Sequence, residues 1–283
     1  MGCRMAKRRY SIDEAKIARF IREGRGSGHG ADYKPWLTIQ DVSSLGRSTR
    51  IYGKKTRRQH HLLSDLETGL FLLLDWDERV IDLREQFPLD RKVTQMLAAK
   101  MGIVHPRDTN TQTDIVMTTD MLVDVHNESG SSQIAFSVKP SSKLEDKRTL
   151  EKLELERRYW ERNGIPWRLV TEHELPVVRV ANLRWLHEMH SLDGQQSAHE
   201  NHWHDLCVRF LSELASFRVG LVQDFFIYLQ NECGFADGEP MTALRHLAAT
   251  KRITLDLDRQ FSTKSNIDVL GVKNGEVAQR RAA

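Results

Sequence analysis

Residues 118–140 read TTDMLVDVHNESGSSQIAFSVKP and contain two stretches rich in β-branched and aliphatic residues, separated by a polar segment. This pattern predicts two neighbouring strands joined by HNESGSS, because branched side chains pack well on a pleated sheet. The first stretch carries Asp120, and the second ends with Lys139 directly before a proline. A lysine that closes an apolar strand needs a reason, because burying its ammonium group beside a core is costly.

Helix and strand patterns alternate on either side of these residues. Helices are predicted over SIDEAKIARFIREG at 11–24, SDLETGLFLLLDW at 64–76 and TLEKLELERRYWERNG at 149–164, and strands over VIDLREQFPL at 80–89 and IPWRLVT at 165–171. Ser11 with Glu14 is predicted to cap the first helix and Thr149 the last, with Gly24 and Gly164 as stops. The strand, helix, strand succession after a hairpin predicts a mixed α/β sheet flanked by helices.

The C-terminal part is predicted to be mainly helical. LPVVRVANLRWLHEM at 175–189 reads as a helix, and the polar SLDGQQSAHENH at 191–202 reads as a linker. Three further helices precede two short strands, an order that matches a winged helix-turn-helix, with a generic helical docking domain as the alternative. We therefore divide the chain into a basic N-terminal helix and arm at 1–60, an α/β domain at 61–190 and a winged-helix-like domain at 191–283.

The composition is 40% hydrophobic and 29% charged over 283 residues, which is typical of a soluble globular protein. No apolar run approaches the length of a membrane span, and the basic N-terminus lacks the apolar segment of a secretory signal. Cys3, Cys207 and Cys233 are odd in number and far apart, which favours a reducing compartment. We therefore expect a cytoplasmic protein without a membrane partner.

Positive charge is concentrated at the N-terminal end. Residues 1–60 hold 15 Lys and Arg against 5 Asp and Glu, whereas the remainder holds 27 against 34. An arm of that sign attracts polyanions, and Lys54, Lys55, Arg57 and Arg58 cluster near its end. We predict that these four residues bind DNA, with a solvated basic tail as the alternative.

Asp120 and Lys139, on adjacent strand ends, fit the chemistry of metal-dependent phosphodiester hydrolysis. Carboxylates hold the divalent ion, and a lysine beside the attacking water orients that water and stabilises the charge of the transition state. This is the layout of the PD-(D/E)xK nucleases. The position two before the lysine should then be acidic, but it is Ser137.

The missing carboxylate has two candidates. Glu67 in HHLLSDLE is one, although Ser64 and Glu67 also fit a capping box in which Glu67 only closes a helix N-terminus. Glu156 in EKLELERRYW is the other, although a solvated helix face explains that residue more simply. The residues alone leave these alternatives open.

Several stretches, in order, resemble the TnsA family of endonuclease subunits of heteromeric cut-and-paste transposases, including those of CRISPR-associated transposons. The resemblance rests on EGRGSGHGADYKPWLTIQDV, HHLLSDLE, DLREQFPL, TTDMLVD, VKP and RTLEKLELERRYW…IPW. It covers roughly residues 10–190 well and the second domain poorly. It implies a restriction-endonuclease-like N-terminal domain and a winged-helix-like C-terminal domain.

The resemblance also implies a catalytic set. The family's Glu, Asp and Lys fall on Glu67, Asp120 and Lys139, and its metal would take Glu67, Asp120 and the carbonyl of Val138. A glutamine can stand in the family where this chain has Ser137, and a hydroxyl or a water could replace that metal contact. Ser137 and Glu156, the second candidate for the missing carboxylate, are therefore auxiliary candidates. Mg²⁺ is the expected cofactor, with Mn²⁺ able to substitute.

The implied activity is hydrolysis of the strand at each 5′ end of a transposon, in double-stranded DNA within the bacterial cytoplasm. A TnsB-type DDE transposase would cut the 3′ ends, and a TnsC-type AAA+ ATPase would regulate both subunits through the C-terminal domain. The alternative is a catalytically inactive DNA-binding or adaptor subunit, with Ser137 as the sign of decay. The presence of Glu67, Asp120 and Lys139 together favours the enzyme.

Overall fold

The computed structural model describes residues 11–42, 46–128 and 130–272. The first ten residues of the predicted basic arm, including Cys3, lie outside the described residues. The chain divides into two compact units between Leu175 and Pro176.

The first unit contains helices and strands in the order that the sequence predicts. Its helices are α1 (Glu14–Arg22), α2 (Asp65–Trp76), α3 (Arg91–Met101) and α4 (Lys147–Arg162). Its strands are β1 (Thr49–Gly53), β2 (Arg58–Leu62), β3 (Val80–Pro88), β4 (Thr118–Asn127), β5 (Gly130–Val138) and β6 (Trp167–Val170). Strands β1 and β2 and helix α3 are absent from the sequence predictions.

A four-stranded mixed sheet of order β3-β4-β5-β6 forms the centre of this unit. β4 runs antiparallel to β3 and β5, and β6 is parallel to β5. On one face Leu122 and Ala135 of the sheet pack with Ala98 of α3 and with Leu155 and Trp160 of α4. The predicted mixed α/β architecture is confirmed. Because β4 and β5 form a hairpin, the start of β4 lies beside the end of β5.

The hairpin between β4 and β5 is tighter than the sequence predicts. Asn127 pairs with Gly130, so most of the polar HNESGSS segment belongs to the strands rather than to their connection. His126, Ser131 and Ser132 at this end of the hairpin are exposed, which is why polar residues are tolerated there. Their polarity therefore indicates an exposed end of the sheet and not a loop.

Two helix caps differ from the prediction, whereas both glycine stops are confirmed. The N-cap of α1 is Asp13, which accepts from the Lys16 backbone, and the N-cap of α4 is Asp146, which accepts from the Thr149 backbone. The predicted caps Ser11 and Thr149 are therefore wrong, because a nearby aspartate supplies the acceptor in each case. Gly24 and Gly164 have φ angles of +72° and +67°, which favour glycine after a helix.

The hairpin of β1 and β2 is held to β3 by a buried ion pair. Arg58 donates to both carboxylate oxygens of Glu85 at 2.8 and 2.5 Å, and Nδ1 of His60 lies 2.8 Å from the same carboxylate. Burial raises the pKa of Glu85, but His60 and Arg58 outweigh burial and lower this pKa to about 2.

The guanidinium of Arg58 is buried and neutralises Glu85, and DNA binding by this residue stays a prediction. Lys54, Lys55 and Arg57 occupy the turn between β1 and β2, and Arg57 is exposed. DNA binding by these three residues stays a prediction.

The second unit is mainly helical, as predicted. It contains α5 (Val177–His187), α6 (His202–Ser216), α7 (Val222–Glu232) and α8 (Glu239–Ala249), followed by the short strands β7 (Ile253–Thr254) and β8 (Gly271–Val272). Helix α8 packs against α5, α6 and α7, and β7 pairs antiparallel with β8. The winged-helix description of this unit stays a prediction. Among the described residues, no helix combines the length and apolar character needed to cross a bilayer.

The division between the units falls 15 residues before the expected boundary at 190/191. The difference arises because α5 packs with the helices that follow the polar linker. Asn182 donates to the carbonyl of Leu257 at 2.8 Å, and Arg245 pairs with Glu188 at 2.6 Å. A polar segment within one compact unit therefore looks like a linker in the sequence.

Replacing Arg58 with Met is expected to destabilise the protein by about 3–5 kcal/mol, because the Glu85 carboxylate stays buried without its guanidinium partner. The loss should shrink as the pH falls from about 4.3 toward 2, since protonation of Glu85 removes the unpaired charge. Urea unfolding across this pH range measures the effect. Arg57→Met, at the exposed neighbouring arginine, is the matched control. Equal losses in the two variants would contradict the role given to the buried pair.

Candidate metal centre and active site

Asp120 occupies the start of β4 and organises the neighbouring end of β5. Its Oδ2 accepts from the backbone of Val138 at 2.7 Å and from Nζ of Lys139 at 3.0 Å. Nζ of Lys139 also donates to the carbonyl oxygen of Val138 at 2.8 Å. The two strand ends therefore place an acidic and a basic group in direct contact, as the sequence predicts for adjacent strands.

Lys139 keeps its charge although its stem packs at the edge of a core. Burial lowers the pKa of Lys139, but attraction to Asp120 and the hydrogen bond between them, helped by Glu156 and Glu67, hold this pKa above its usual value. The side chain is 37% exposed, so the ammonium group is accessible. The carboxylates around Lys139 explain why a lysine closes this apolar strand.

Glu67 closes the start of α2 and also lies near Asp120. Ser64 caps α2 by accepting from the backbone of Glu67, and its hydroxyl donates to Oε1 of Glu67 at 2.9 Å. The backbone of Leu63 donates to Oε2 at 2.9 Å. Burial, and then the nearby Asp120, raise the pKa of Glu67 to about 7. The carboxylate that closes the helix start thus also lies in the electrostatic field of Asp120.

Gln86 connects the two carboxylates and is a residue that the sequence analysis misses. Its Nε2 lies 3.5 Å from Oε2 of Glu67 and 3.3 Å from Oδ1 of Asp120. Gln86 belongs to the DLREQFPL stretch, where nothing in the strand pattern distinguishes it from a side chain of the sheet. The structure therefore brings Glu67, Asp120, Lys139 and Gln86 together.

Glu156 is buried, so the simpler expectation of a solvated helix face is wrong. Its Oε1 accepts from Thr119 Oγ1 at 2.7 Å and from Ser137 Oγ at 2.5 Å. Burial, and then the nearby Asp120, raise the pKa of Glu156 to about 7. Ser137 is itself fully buried. Helix α4 therefore supplies a carboxylate directly against the position where the nuclease pattern lacks one.

A cavity of about 390 Å³ opens at this end of the sheet, with Asp120, Lys139 and Glu156 among its lining residues. Lys143 and Lys152 line the same cavity and are exposed. Three lysines and two carboxylates, Asp120 and Glu156, therefore line one cavity. Neither Lys143 nor Lys152 stands out in the sequence, because both lie outside the basic N-terminal region.

The donors in this site fit a hard divalent cation. Carboxylates of Glu67 and Asp120 and the carbonyl of Val138 are oxygen ligands, which Mg²⁺ prefers. Burial, and then the negative charge of Asp120, raise the pKa of Glu67 and so disfavour its charged form. A cation bound between the two carboxylates would remove that repulsion.

A second group of possible ligands, His29, Asp82 and Asp124, has ligand atoms within 4.8 Å of one another. Arg84 already lies 2.5 Å from Asp124 and 3.7 Å from Asp82, and it compensates their charge. This guanidinium would also repel an incoming cation. We therefore place the candidate metal centre at Glu67 and Asp120.

Two protein-family models and one known protein each match a part of the chain, and together they cover most of it. Residues 77–172 match the family described as TnsA-like endonuclease N terminal, and residues 174–257 match the family described as TnsA endonuclease C terminal. The Transposon Tn7 transposition protein TnsA of Escherichia coli is 52% identical over 185 residues, which cover 65% of this chain and 67% of that protein. The first matched range contains Asp120, Lys139 and Glu156, whereas Glu67 precedes it.

Mn²⁺ is expected to raise the unfolding temperature, because an ion that binds only the folded state adds about 2.7 kcal/mol of stability at 100 times its Kd. The increase should be larger at pH 8 than at pH 6, since protons occupy carboxyl groups whose pKa is about 7. Thermal unfolding with and without Mn²⁺ measures both effects. Asp120→Asn should abolish the increase and Asp82→Asn should retain it, so the reverse result would move the metal centre to the second group.

Proposed function

The chain belongs to the TnsA endonuclease family, and on that premise we propose that it is a metal-dependent DNA endonuclease that hydrolyses the 5′-end strands of a transposon during cut-and-paste transposition. The observation that carries this proposal is the convergence of Glu67, Asp120, Lys139 and Glu156 at one end of the sheet. A restriction-endonuclease-like description of the first unit agrees with its mixed sheet and with the position of these residues.

Mg²⁺, with Mn²⁺ as a substitute, would be held by Glu67, Asp120 and the carbonyl of Val138. When bound, such an ion supplies Lewis-acid polarisation of the phosphodiester and lowers the pKa of a bound water. Asp120 also fixes its neighbours, because its Oδ2 accepts from Val138 and Lys139 at once.

Lys139 would act on the attacking water and on the transition state. Its ammonium group is charged, partly exposed and fixed by Asp120 on one side and by the Val138 carbonyl on the other. A cation held at this point orients a water molecule and stabilises the negative charge that develops on the phosphoryl oxygens. These two contacts hold the ammonium group of Lys139 beside the proposed metal ligands, which favours a catalytic role.

Glu156 would serve as the auxiliary acid in place of an acidic residue at position 137. Its carboxyl group faces the Ser137 hydroxyl, and burial, followed by the nearby charge of Asp120, raises its pKa. We propose that Ser137 and Thr119 orient this carboxyl group toward the cavity. A carboxylate from α4 would then complete the acidic set that the nuclease pattern requires.

The substrate would be double-stranded DNA at the transposon ends. Lys54, Lys55 and Arg57 on the β1–β2 turn, together with Lys143 and Lys152 at the cavity, would contact its phosphates. A TnsB-type transposase would cut the opposite strands, and a TnsC-type AAA+ ATPase would bind the second unit, whose helices and short strands suit a winged-helix-like domain. The cytoplasm of a bacterium is the expected location.

A catalytically inactive adaptor subunit is the second candidate, and Ser137 is the observation that favours it. The buried Glu156 beside Ser137 weakens that alternative, because it supplies a carboxyl group at the position in question. Binding of transposon-end DNA without strand cleavage, in Mg²⁺ and with the partner transposase, would favour the adaptor.

Lys139→Ala is expected to reduce 5′-strand nicking by about 100-fold or more while leaving DNA and metal binding nearly intact, because it removes a stabiliser of transition-state charge.

Asp120→Ala should also stop nicking, but high Mn²⁺ should restore part of it, since metal affinity is what this variant loses. Glu156→Gln should lower nicking without unfolding, because its amide oxygen still accepts from Ser137 and Thr119. Strand-specific nicking across a Mn²⁺ titration, with unfolding temperature as the folding control, measures all three.

Lys100→Ala is the matched control for Lys139→Ala, because Lys100 is an exposed lysine on α3 that does not line the cavity. It should nick the 5′ strand as the wild type does, and partner-made 3′ cuts should survive every variant. Wild-type nicking by Lys139→Ala would end the catalytic assignment of this lysine. Nicking that persists in EDTA would end the metal-dependent proposal.

A further inference from the structure

Gln86 is a buried, neutral side chain placed between two acidic ones. Its Nε2 faces Oε2 of Glu67 at 3.5 Å and Oδ1 of Asp120 at 3.3 Å, and the residue is 2% exposed. An amide nitrogen carries two N–H donors, so one group can serve both carboxylates. The two distances are at the long end of the hydrogen-bonding range, which indicates contacts that are weak and easily exchanged.

The orientation of this amide is fixed from its other end. The Thr118 hydroxyl donates to Oε1 of Gln86 at 3.0 Å, which leaves the nitrogen to face the carboxylates. The backbone of Trp36 donates to the carbonyl oxygen of Gln86 at 3.2 Å. Side chain and main chain are thus both held, so the amide nitrogen is presented to the site in one orientation.

The backbone of Gln86 has an unusual conformation for a residue in a strand. Its φ angle is +47°, a region that favours glycine, although Glu85 and Phe87 on either side keep their pairing with Met121 and Thr119. Such strain persists only where the surroundings enforce it, and it concentrates at functional sites. The strained backbone and the fixed amide therefore point to the same use of this side chain.

The use follows from the repulsion between Glu67 and Asp120. Two carboxylates that face one another move apart unless a donor or a cation lies between them. Oδ2 of Asp120 accepts from Val138 and Lys139, whereas Oδ1 accepts from Gln86. The amide thus occupies the space between the oxygen atoms that a cation would use, and its contacts are weak enough to yield to that cation.

We propose that Gln86 is a positioning residue whose amide holds the carboxylates of Glu67 and Asp120 ready to bind the divalent cation. This inference rests on the metal centre of the proposed function. The residue does not touch the reacting phosphate; it keeps the two ligands close together while the cation is absent. Loss of the amide should therefore weaken metal binding and leave the chemistry at saturating metal largely unchanged.

Isothermal titration calorimetry with Mn²⁺ on the full chain, without DNA, tests this. Gln86→Met, which keeps the volume and removes both donors, should bind Mn²⁺ roughly tenfold more weakly, a usual effect for groups that orient metal ligands. Gln112→Met is the matched control, because Gln112 also has a positive φ, of +55°, but is exposed and donates to the carbonyl of Thr109. It should bind Mn²⁺ as the wild type does.

The nicking rate separates positioning from packing. At saturating Mn²⁺ the rate of Gln86→Met should return to near the wild-type value, whereas a residue with only a packing role would lower the unfolding temperature and leave Mn²⁺ affinity unchanged. Gln86→Gly, which removes the amide and relieves the backbone, gives the same test if Gln86→Met fails to fold.

Asp120→Ala, titrated with Mn²⁺ in parallel, distinguishes a failure of the role given to Gln86 from a failure of the proposed metal centre. Loss of Mn²⁺ binding in Asp120→Ala with unchanged or tighter binding in a folded Gln86 variant would overturn the role of Gln86 alone. Unchanged binding in Asp120→Ala would overturn the metal centre itself. Weaker binding in both, with Gln112→Met unaffected, supports the inference.

Discussion

Repulsion among carboxylates at one end of a sheet is the constraint on which the site depends. Glu67, Asp120 and Glu156 approach the same point from α2, β4 and α4, and burial, followed by the charge of Asp120, raises the pKa of both glutamates to about 7. Lys139 compensates part of this charge through its contact with Asp120. The remaining contacts to these carboxylates come from the neutral donors of Leu63, Ser64, Gln86, Thr119, Ser137 and Val138. We propose that a divalent cation compensates the charge that these neutral donors leave.

The negative charge of the neighbouring residue Glu85 is, by contrast, fully compensated by side chains of the protein. It is as deeply buried as Glu156, yet Arg58 and His60 lower its pKa to about 2. This pair joins the β1–β2 hairpin to β3 and needs nothing from outside the protein. One residue further along β3, Gln86 meets its carboxylates with a neutral amide. The difference between a guanidinium and an amide separates this structural ion pair from the proposed metal centre.

The sequence predicts the sheet and the Asp120–Lys139 contact because both follow from local pattern, namely two β-rich stretches with charges at their ends. It does not settle the role of Glu67, because one side chain both closes α2 and faces Asp120. The burial of Glu156 could have been predicted from the sequence, since Leu153, Glu156 and Trp160 share one face of a helix. The contacts of Arg58 and Gln86 could not be predicted in this way. Those of Arg58 depend on the β1–β2 hairpin, and those of Gln86 depend on a strained backbone conformation, and hydrophobic periodicity indicates neither. The unit boundary was misplaced because a polar segment inside a compact unit has the composition of a linker.

Anomalous diffraction from crystals grown with Mn²⁺ and a transposon-end duplex tests the central claim most directly. We expect a manganese peak with carboxylate oxygens of Glu67 and Asp120 at about 2 Å, with Lys139 and Glu156 facing the scissile phosphate. A peak at His29, Asp82 and Asp124, with none between Glu67 and Asp120, would contradict it.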